Sequence, residues 1–207
     1  MASAIIHIAI AKKVKEKIEV ENEKDYYLGS IAPDLAKQIG DSKDKSHFCL
    51  NMLNNIPDID LFAKRYPLFK FNSFDLGYFT HLYADKVWNE DFLPNLISNS
   101  SIKLLDGTII ETTPDEMKNM IYSDFTNLNI KIIEEYDLDL SLFYEEFSLP
   151  DTKIQEVNIN KLDLLINKMG ILIENSKETK AYTFDIYLVE DFIEDTAKEI
   201  IQALKKY

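Results

Sequence analysis

The chain has 207 residues, of which 46% are hydrophobic and 29% charged, so it is long enough to bury one sizeable core. Its formal net charge of −13 repels polyanions at long range and argues against a general nucleic-acid binder. Few glycines and prolines favour long helices, and the single cysteine, Cys49, excludes an intrachain disulfide.

The first part of the chain, about 3–93, is predicted to form a helical core. Ser3 is expected to cap a first helix that ends near Glu19, because apolar residues recur there at every fourth position. Pro33 fits the first turn of a helix, and Gly40 fits its end. The helices predicted after the first cover 23–31, 35–39, 47–54, 58–65 and 73–96, with a polar loop over 41–46.

The sequence changes character after Pro94. Asp106-Gly107 between apolar residues predicts a β-hairpin over 102–112, and residues 95–113 are a candidate lid. C-terminal helices are expected over about 114–207, in the segments 114–136, 138–147, 158–173 and 190–207, with 182–185 either a strand or a helix entry. We therefore predict an all-α fold in a single domain, 1–207, with a small β-hairpin insertion.

No run reaches the length of about 18 apolar residues that a membrane span needs. The apolar stretch 4–11 is followed, not preceded, by its lysines, which is the reverse of a secretory signal. We therefore expect no transmembrane segment and a cytoplasmic location.

The most informative stretch is the predicted helix around His81 and Asp85. Residues four apart project from one helix face, so an imidazole and a carboxylate lie together in apolar surroundings. A buried carboxylate is costly unless it is paired or coordinated. A divalent metal would satisfy both groups, and a hydrogen-bonded His–Asp pair in the core is the alternative.

Three further residues extend this pair into a candidate ligand set. His7 and His47 lie beside apolar helix faces, and Asp34 lies near a predicted helix start. Taken singly, each has a plainer interpretation, as a core histidine or as a capping carboxylate. Together with His81 and Asp85 they form an N/O ligand group suited to zinc, or to iron or manganese.

The motifs around these residues resemble those of the bacterial zinc-dependent phospholipase C family, which shares a superfamily with zinc-dependent single-strand-specific nucleases. The matching segments are Ser-Ala-Ile-Ile-His7, Leu-Gly-Ser-Ile-Ala-Pro-Asp34, Lys45-Ser-His47-Phe and Gly-Tyr-Phe-Thr-His81-Leu-Tyr-Ala-Asp85. They occur in the same order and cover about residues 3–90.

The resemblance implies an all-α fold and a zinc cluster that hydrolyses phosphodiester bonds. It implies one ion held by Asp34, His47, His81 and Asp85, with Asp85 also reaching a second ion at His7. Asp34 is then the candidate catalytic base that positions or deprotonates the attacking water.

The chain departs from that family in two respects. It begins Met1-Ala2, where the mature secreted enzymes carry an N-terminal Trp that binds an ion. It also has no fourth histidine, so the family's remaining site with its HxxxE motif cannot be built in the same way. We therefore expect one or two zinc ions rather than three.

These features leave two main hypotheses. The first is a metal-dependent hydrolase of phosphoester or phosphodiester bonds, with metal-bound water as the nucleophile and a small phosphorylated compound or phospholipid headgroup as the substrate. The second is a non-catalytic, metal-stabilised helical module that serves interactions. A third, an HD-type phosphohydrolase, requires an adjacent His-Asp pair, which does not occur here.

Overall fold

The computed structural model describes residues 2–49, 55–67, 72–145, 148–177 and 180–206. It is mainly helical with one small antiparallel sheet, which confirms the all-α prediction with its β insertion. The helices are α1 Ala4–Lys15, α2 Glu23–Ile31, α3 Leu35–Ile39, α4 Lys43–Ser46, α5 Ile59–Arg65, α6 Ser73–Val87, α7 Pro114–Glu135, α8 Leu162–Glu174 and α9 Ile186–Lys206. The strands are β1 Ile97–Ser98, β2 Ser101–Lys103 and β3 Ile109–Glu111.

Helix α1 begins as the sequence predicts. The Ser3 side chain accepts a hydrogen bond from the backbone N–H of Ile6, and the apolar stripe is buried against α2, α6, α7 and α9. The helix ends at Lys15, four residues before the predicted end at Glu19, because Val14 is its last fully buried residue. Lys12 then joins α1 to the end of α7 by donating to the backbone carbonyls of Tyr136 and Asp137, each at 2.6 Å.

Helices α2 and α6 cross in direct backbone contact. A Cβ atom on Gly29 would lie 2.1 Å from the Phe74 carbonyl oxygen, and one on Gly77 would lie 2.0 Å from the Tyr26 carbonyl oxygen. Only residues without a side chain allow this approach. The crossing brings the end of α2 beside the middle of α6, where His81 lies.

The segment before α5 differs from its prediction. Residues 43–46, predicted as loop, form α4, and His47 ends that helix instead of beginning another. The predicted helix 47–54 is wrong at residues 47–49, because Phe48 has a left-handed backbone (φ 56°) and its amide still bonds back to Lys45. Residues 50–54 lie outside the described residues.

Helix α6 continues through a π-helical turn, Trp88–Phe92, and a 3₁₀ turn, Leu93–Asn95, close to the predicted end at Leu96. Trp88 is fully buried. Its ring contacts those of Phe92, Phe125, Phe184 and Phe192. This aromatic group joins the end of α6 to α7 and α9.

The predicted hairpin is present as β2 and β3, with Ile102 opposite Ile110. Strand β1, which the sequence reading missed, pairs with β2 and places Ile97 opposite Ile102. Among the described helices, none combines the length and apolar character that a membrane crossing needs.

Two C-terminal predictions are corrected. The helix predicted over 138–147 is only a 3₁₀ turn, Ser141–Phe143, within the residues described there. The ambiguous segment 182–185 is an irregular helix entry, because the Asp124 carboxylate accepts the backbone N–H groups of Tyr182, Thr183 and Phe184. Helix α9 consequently begins at Ile186 and not at Glu190.

Candidate metal centre

The structure brings all five candidate ligands to one point. His7 comes from α1, Asp34 from the 3₁₀ turn after α2, His47 from the end of α4, and His81 and Asp85 from one face of α6. These five side chains are called the His/Asp cluster below. Since they belong to four separate parts of the helical core, their meeting depends on tertiary packing.

Distances within the His/Asp cluster are short. Asp85 is central: its Oδ1 lies 3.4 Å from His7 Nε2, and its Oδ2 lies 3.5 Å from His47 Nε2 and 3.9 Å from His81 Nε2. Asp34 Oδ1 lies 3.6 Å from His47 Nε2. The rings of His7 and His81 stack with centroids 3.8 Å apart.

Backbone carbonyls fix the tautomers of two histidines. His81 Nδ1 donates to the Ser30 carbonyl at 2.8 Å, and His47 Nδ1 lies 2.9 Å from the Ser46 hydroxyl and 3.2 Å from the Lys43 carbonyl. Because a carbonyl only accepts, and the Ser46 hydroxyl already donates its proton to the Lys43 carbonyl, both Nδ1 atoms carry the proton in the neutral rings, and both Nε2 atoms are left as acceptors. These two Nε2 atoms lie 3.3 Å apart, so two lone pairs face one another with no proton between them.

Several buried polar atoms of the His/Asp cluster make no hydrogen bond with the described residues. They are both ring nitrogens of His7, Oδ1 of Asp34 and both carboxylate oxygens of Asp85. An unsatisfied buried polar atom costs about 1–3 kcal/mol, and more when it is charged. Imidazole nitrogens and carboxylate oxygens that gather in the protein interior without hydrogen-bond partners are the pattern expected of metal ligands.

The ligand types and spacing fit zinc. Tetrahedral Zn–N bonds of 2.0–2.1 Å place neighbouring ligand atoms about 3.3 Å apart. The Nε2 atoms of His47 and His81 match this separation, and Asp85 lies slightly farther away. Two triplets bring potential ligand atoms within 4.8 Å of one another, His7/Asp34/His81 and His47/His81/Asp85.

The electrostatics of the site favour ligand-ready protonation states. Burial and the neighbouring His7 lower the pKa of His81 to about 3, so this ring is neutral near pH 7. Burial opposes ionisation of Asp34, but the adjacent imidazoles of His47 and His81 hold its pKa well below the ordinary value. A neutral imidazole and an ionised carboxylate are the forms that bind a metal.

The His/Asp cluster opens onto a cleft through one residue. Its three histidines and Asp85 are at most 1% exposed, whereas the side chain of Asp34 is 14% exposed. Asp34 lines a cleft of about 550 Å³ that also contacts α7 and α8. A metal held here would lie at the base of that cleft.

Sequence reasoning missed three supporting groups. Ser30 and Lys43 act through backbone carbonyls, which carry no side-chain signature, and the Ser46 hydroxyl lies 2.9 Å from His47 Nδ1. The side chain of Lys43 also approaches the site, with its ammonium 3.8 Å from Asp85 Oδ2. A signal for Lys43 was present, since it precedes His47 by one helical turn.

Residues 6–89 match the model of the family described as zinc dependent phospholipase C. No match was found among curated proteins or among solved structures. The match confirms the resemblance of the N-terminal motifs, and it covers the part of the chain that holds the whole His/Asp cluster. At the level of that family it supports zinc as the metal and a phospholipase C-like hydrolase.

Proposed function

We propose that this chain is a zinc-dependent hydrolase of phosphoester or phosphodiester bonds, and that the five residues of the His/Asp cluster hold one or two ions. The observation that carries the proposal is the opening of the cluster through Asp34 onto a cleft large enough for a substrate. A purely structural metal site is closed, whereas a catalytic site keeps an accessible side.

When bound, zinc supplies a Lewis acid to a phosphoryl oxygen and lowers the pKa of a water molecule to about 7. The chain's own residues orient the reaction. The Ser30 carbonyl orients His81 and the Lys43 carbonyl orients His47, so that both Nε2 atoms face the centre of the cluster. Asp85 is fully buried, so water is excluded from the side of the cluster away from the cleft. Asp34 is the candidate catalytic residue, because its carboxylate faces the cleft and accepts a hydrogen bond or a proton from the attacking water.

The test combines elemental analysis with hydrolysis of a chromogenic phosphodiester, bis(p-nitrophenyl) phosphate, with added zinc or manganese. We expect stoichiometric metal in the wild type, and its loss in His47→Ala and in His81→Ala. Asp34→Asn is expected to lower turnover by about 100-fold or more, since general-base contributions are of that size. Asp41→Asn is the matched control, because Asp41 is exposed.

One observation favours the second candidate, a non-catalytic metal-stabilised module for interactions. Four of the five side chains of the His/Asp cluster are almost completely buried. If metal is present and is lost in both histidine variants, but the wild type turns over no faster than Asp34→Asn, the hydrolase proposal fails and the module remains. Absence of metal even after zinc or manganese is supplied would refute both.

A further inference from the structure

The cleft beside Asp34 is positively charged in a negatively charged protein. The chain has 36 acidic and 23 basic residues, yet among the described residues lining the cleft Asp34 is the only acidic one. Four lysines line it, namely Lys37, Lys43, Lys118 and Lys168. This local excess of positive charge favours binding of an anionic ligand.

Three of these residues, Lys37, Lys118 and Lys168, are exposed at the edge of the cleft and are called the rim lysines below. Within the described part of the chain, none of them forms an ion pair with a carboxylate. The ammonium groups of Lys37 and Lys118 lie 5.6 and 5.8 Å from the centre of the Tyr122 ring, and Lys37 also donates to the Tyr122 hydroxyl at 2.9 Å. The charges of the rim lysines are therefore not neutralised by the protein.

The fourth lysine lies deeper. Lys43 is 24% exposed, and its ammonium is 3.8 Å from Asp85 Oδ2. It therefore lies between the cleft and the His/Asp cluster. A phosphate at the base of the cleft would lie within reach of this ammonium, while the rim lysines face the rest of the ligand.

Helices α7 and α8 also give the cleft an apolar wall. Helix α7 contributes Met117, Ile121 and Phe125, and helix α8 contributes Leu165 and Met169. Met117, Leu165 and Met169 are at most 9% exposed, so this wall is continuous with the core. An apolar wall beside unneutralised lysines suits a ligand that has both an anionic group and a hydrocarbon chain.

We propose that the cleft binds a glycerophospholipid with an anionic headgroup in preference to a zwitterionic one. The phosphate lies at Lys43 and the His/Asp cluster, a second negative group or a headgroup without a cation faces the rim lysines, and an acyl chain lies between α7 and α8. This inference rests on the proposed function and narrows its substrate class. A quaternary ammonium headgroup would bring a cation next to the rim lysines, and like charges at close range disfavour binding.

The single tryptophan provides a direct readout of binding. Trp88 lines the cleft and is the only Trp in the chain, so its fluorescence reports occupancy without any need for turnover. The zinc-supplemented full chain is mixed in a stopped-flow instrument with dihexanoyl phosphatidylglycerol or dihexanoyl phosphatidylcholine below the micellar concentration. We expect roughly tenfold tighter binding of the anionic lipid, because phosphatidylcholine brings its quaternary ammonium next to the rim lysines and two like-charge contacts of ordinary strength oppose its binding.

The double variant Lys118→Gln/Lys168→Gln is expected to abolish most of that preference. The matched control is Lys17→Gln/Lys198→Gln, which removes the same charge from exposed positions that do not line the cleft. The control should keep the preference, since long-range charge changes equally in both double variants. Glycerophosphoglycerol, which carries the headgroup without acyl chains, is expected to bind at least tenfold more weakly than the lipid, because each buried CH₂ contributes about 0.8 kcal/mol.

Equal affinity for the two lipids, or equal loss in the two double variants, would overturn the headgroup selection. Binding of glycerophosphoglycerol as tightly as the lipid would overturn the placement of the acyl chain. Hydrolysis is scored separately with the chromogenic diester. Selective binding without zinc-dependent hydrolysis would refute the hydrolase and support the binding inference, and hydrolysis without headgroup preference would refute the inference alone.

Discussion

His81 is held on three sides in the protein interior. It is fully buried, donates Nδ1–H to the Ser30 carbonyl and stacks on the His7 ring. Burial and the nearby His7 lower its pKa to about 3, against about 6.5 in an unfolded chain. The environment that lowers the pKa of His81 therefore also keeps the ring neutral, which is the form that can bind a metal.

A pH dependence of stability follows for the metal-free protein. Below pH 6.5 the unfolded chain binds a proton at His81, whereas the folded chain binds it only near pH 3. The free energy of unfolding therefore decreases as the pH falls from 6.5 towards 3. We expect a loss of about 2 kcal/mol between pH 6.5 and pH 5 from this residue. Urea unfolding with a chelator at several pH values measures it.

The variant His81→Asn serves as the comparison, because its amide can still donate to the Ser30 carbonyl but does not titrate. Its stability should depend less on pH in the same window. Identical pH dependence in the wild type and in His81→Asn would show that His81 does not carry the effect.

At the residue scale, the sequence predicted which residues belong to the His/Asp cluster better than it predicted the groups around them. The spacing of His81 and Asp85 placed both on one helix face, and helix boundaries placed His7 and Asp34 beside apolar surfaces. The charged side chain of Lys43 beside Asp85 was not predicted, because residues 41–46 were predicted as a polar loop and residues 43–46 form α4. The left-handed backbone of Phe48 after α4 was not indicated by any local sequence pattern either.

At the scale of the elements, the crossing of α2 and α6 supports the His/Asp cluster. Helix α2 carries the Ser30 carbonyl, and α6 carries His81 and Asp85. Gly77→Ala would place a Cβ 2.0 Å from the Tyr26 carbonyl oxygen, so the helices must separate. We expect a loss of about 3 kcal/mol in the free energy of unfolding, which is typical of strong overpacking, and weaker zinc binding, measured by chemical unfolding and by metal titration.

The matched control is Gly170→Ala in α8. A Cβ there would meet only the Tyr144 hydroxyl, at 2.7 Å, and Tyr144 is 57% exposed and can move aside. Its stability should stay within about 0.5 kcal/mol of the wild type. Similar losses in both variants would show that the effect comes from adding a methyl group and not from the crossing.

Helices whose boundaries are marked by local sequence signals were predicted well. Helix α2 was predicted at its observed bounds, and α7 begins at Pro114 with Thr113 and Glu116 forming a capping box. One of the failures has a clear cause, the control of backbone structure by a distant contact. The segment 182–185 is held by Asp124 of α7, some 58 residues earlier in the chain, so its own sequence left its conformation open.

At the scale of the whole molecule, the His/Asp cluster ties together parts of the chain that are far apart in sequence. Its ligands come from α1, from the turn after α2, from the end of α4 and from α6. An ion bound only by the folded state stabilises it by about 4 kcal/mol at a thousandfold excess over Kd. We propose that the single domain, 1–207, unfolds as one unit around this centre.

Zinc is therefore expected to raise Tm by about 10 °C over the chelator-treated protein, given about 2–4 °C per kcal/mol for a chain of this size. Differential scanning calorimetry with zinc and with EDTA measures the shift. His81→Asn should show almost none of it. A wild-type Tm that does not respond to zinc would contradict metal binding at this site.

The C-terminal helices α7 and α8 lie outside the matched region 6–89 and yet form the apolar wall of the cleft. The His/Asp cluster and the apolar wall of the cleft thus come from separate stretches of the chain. We expect substitutions at Ile121 or Leu165 to change which compound the cleft prefers while the residues of the His/Asp cluster stay unchanged. This arrangement allows ligand recognition by α7 and α8 to diverge while the proposed metal site is kept.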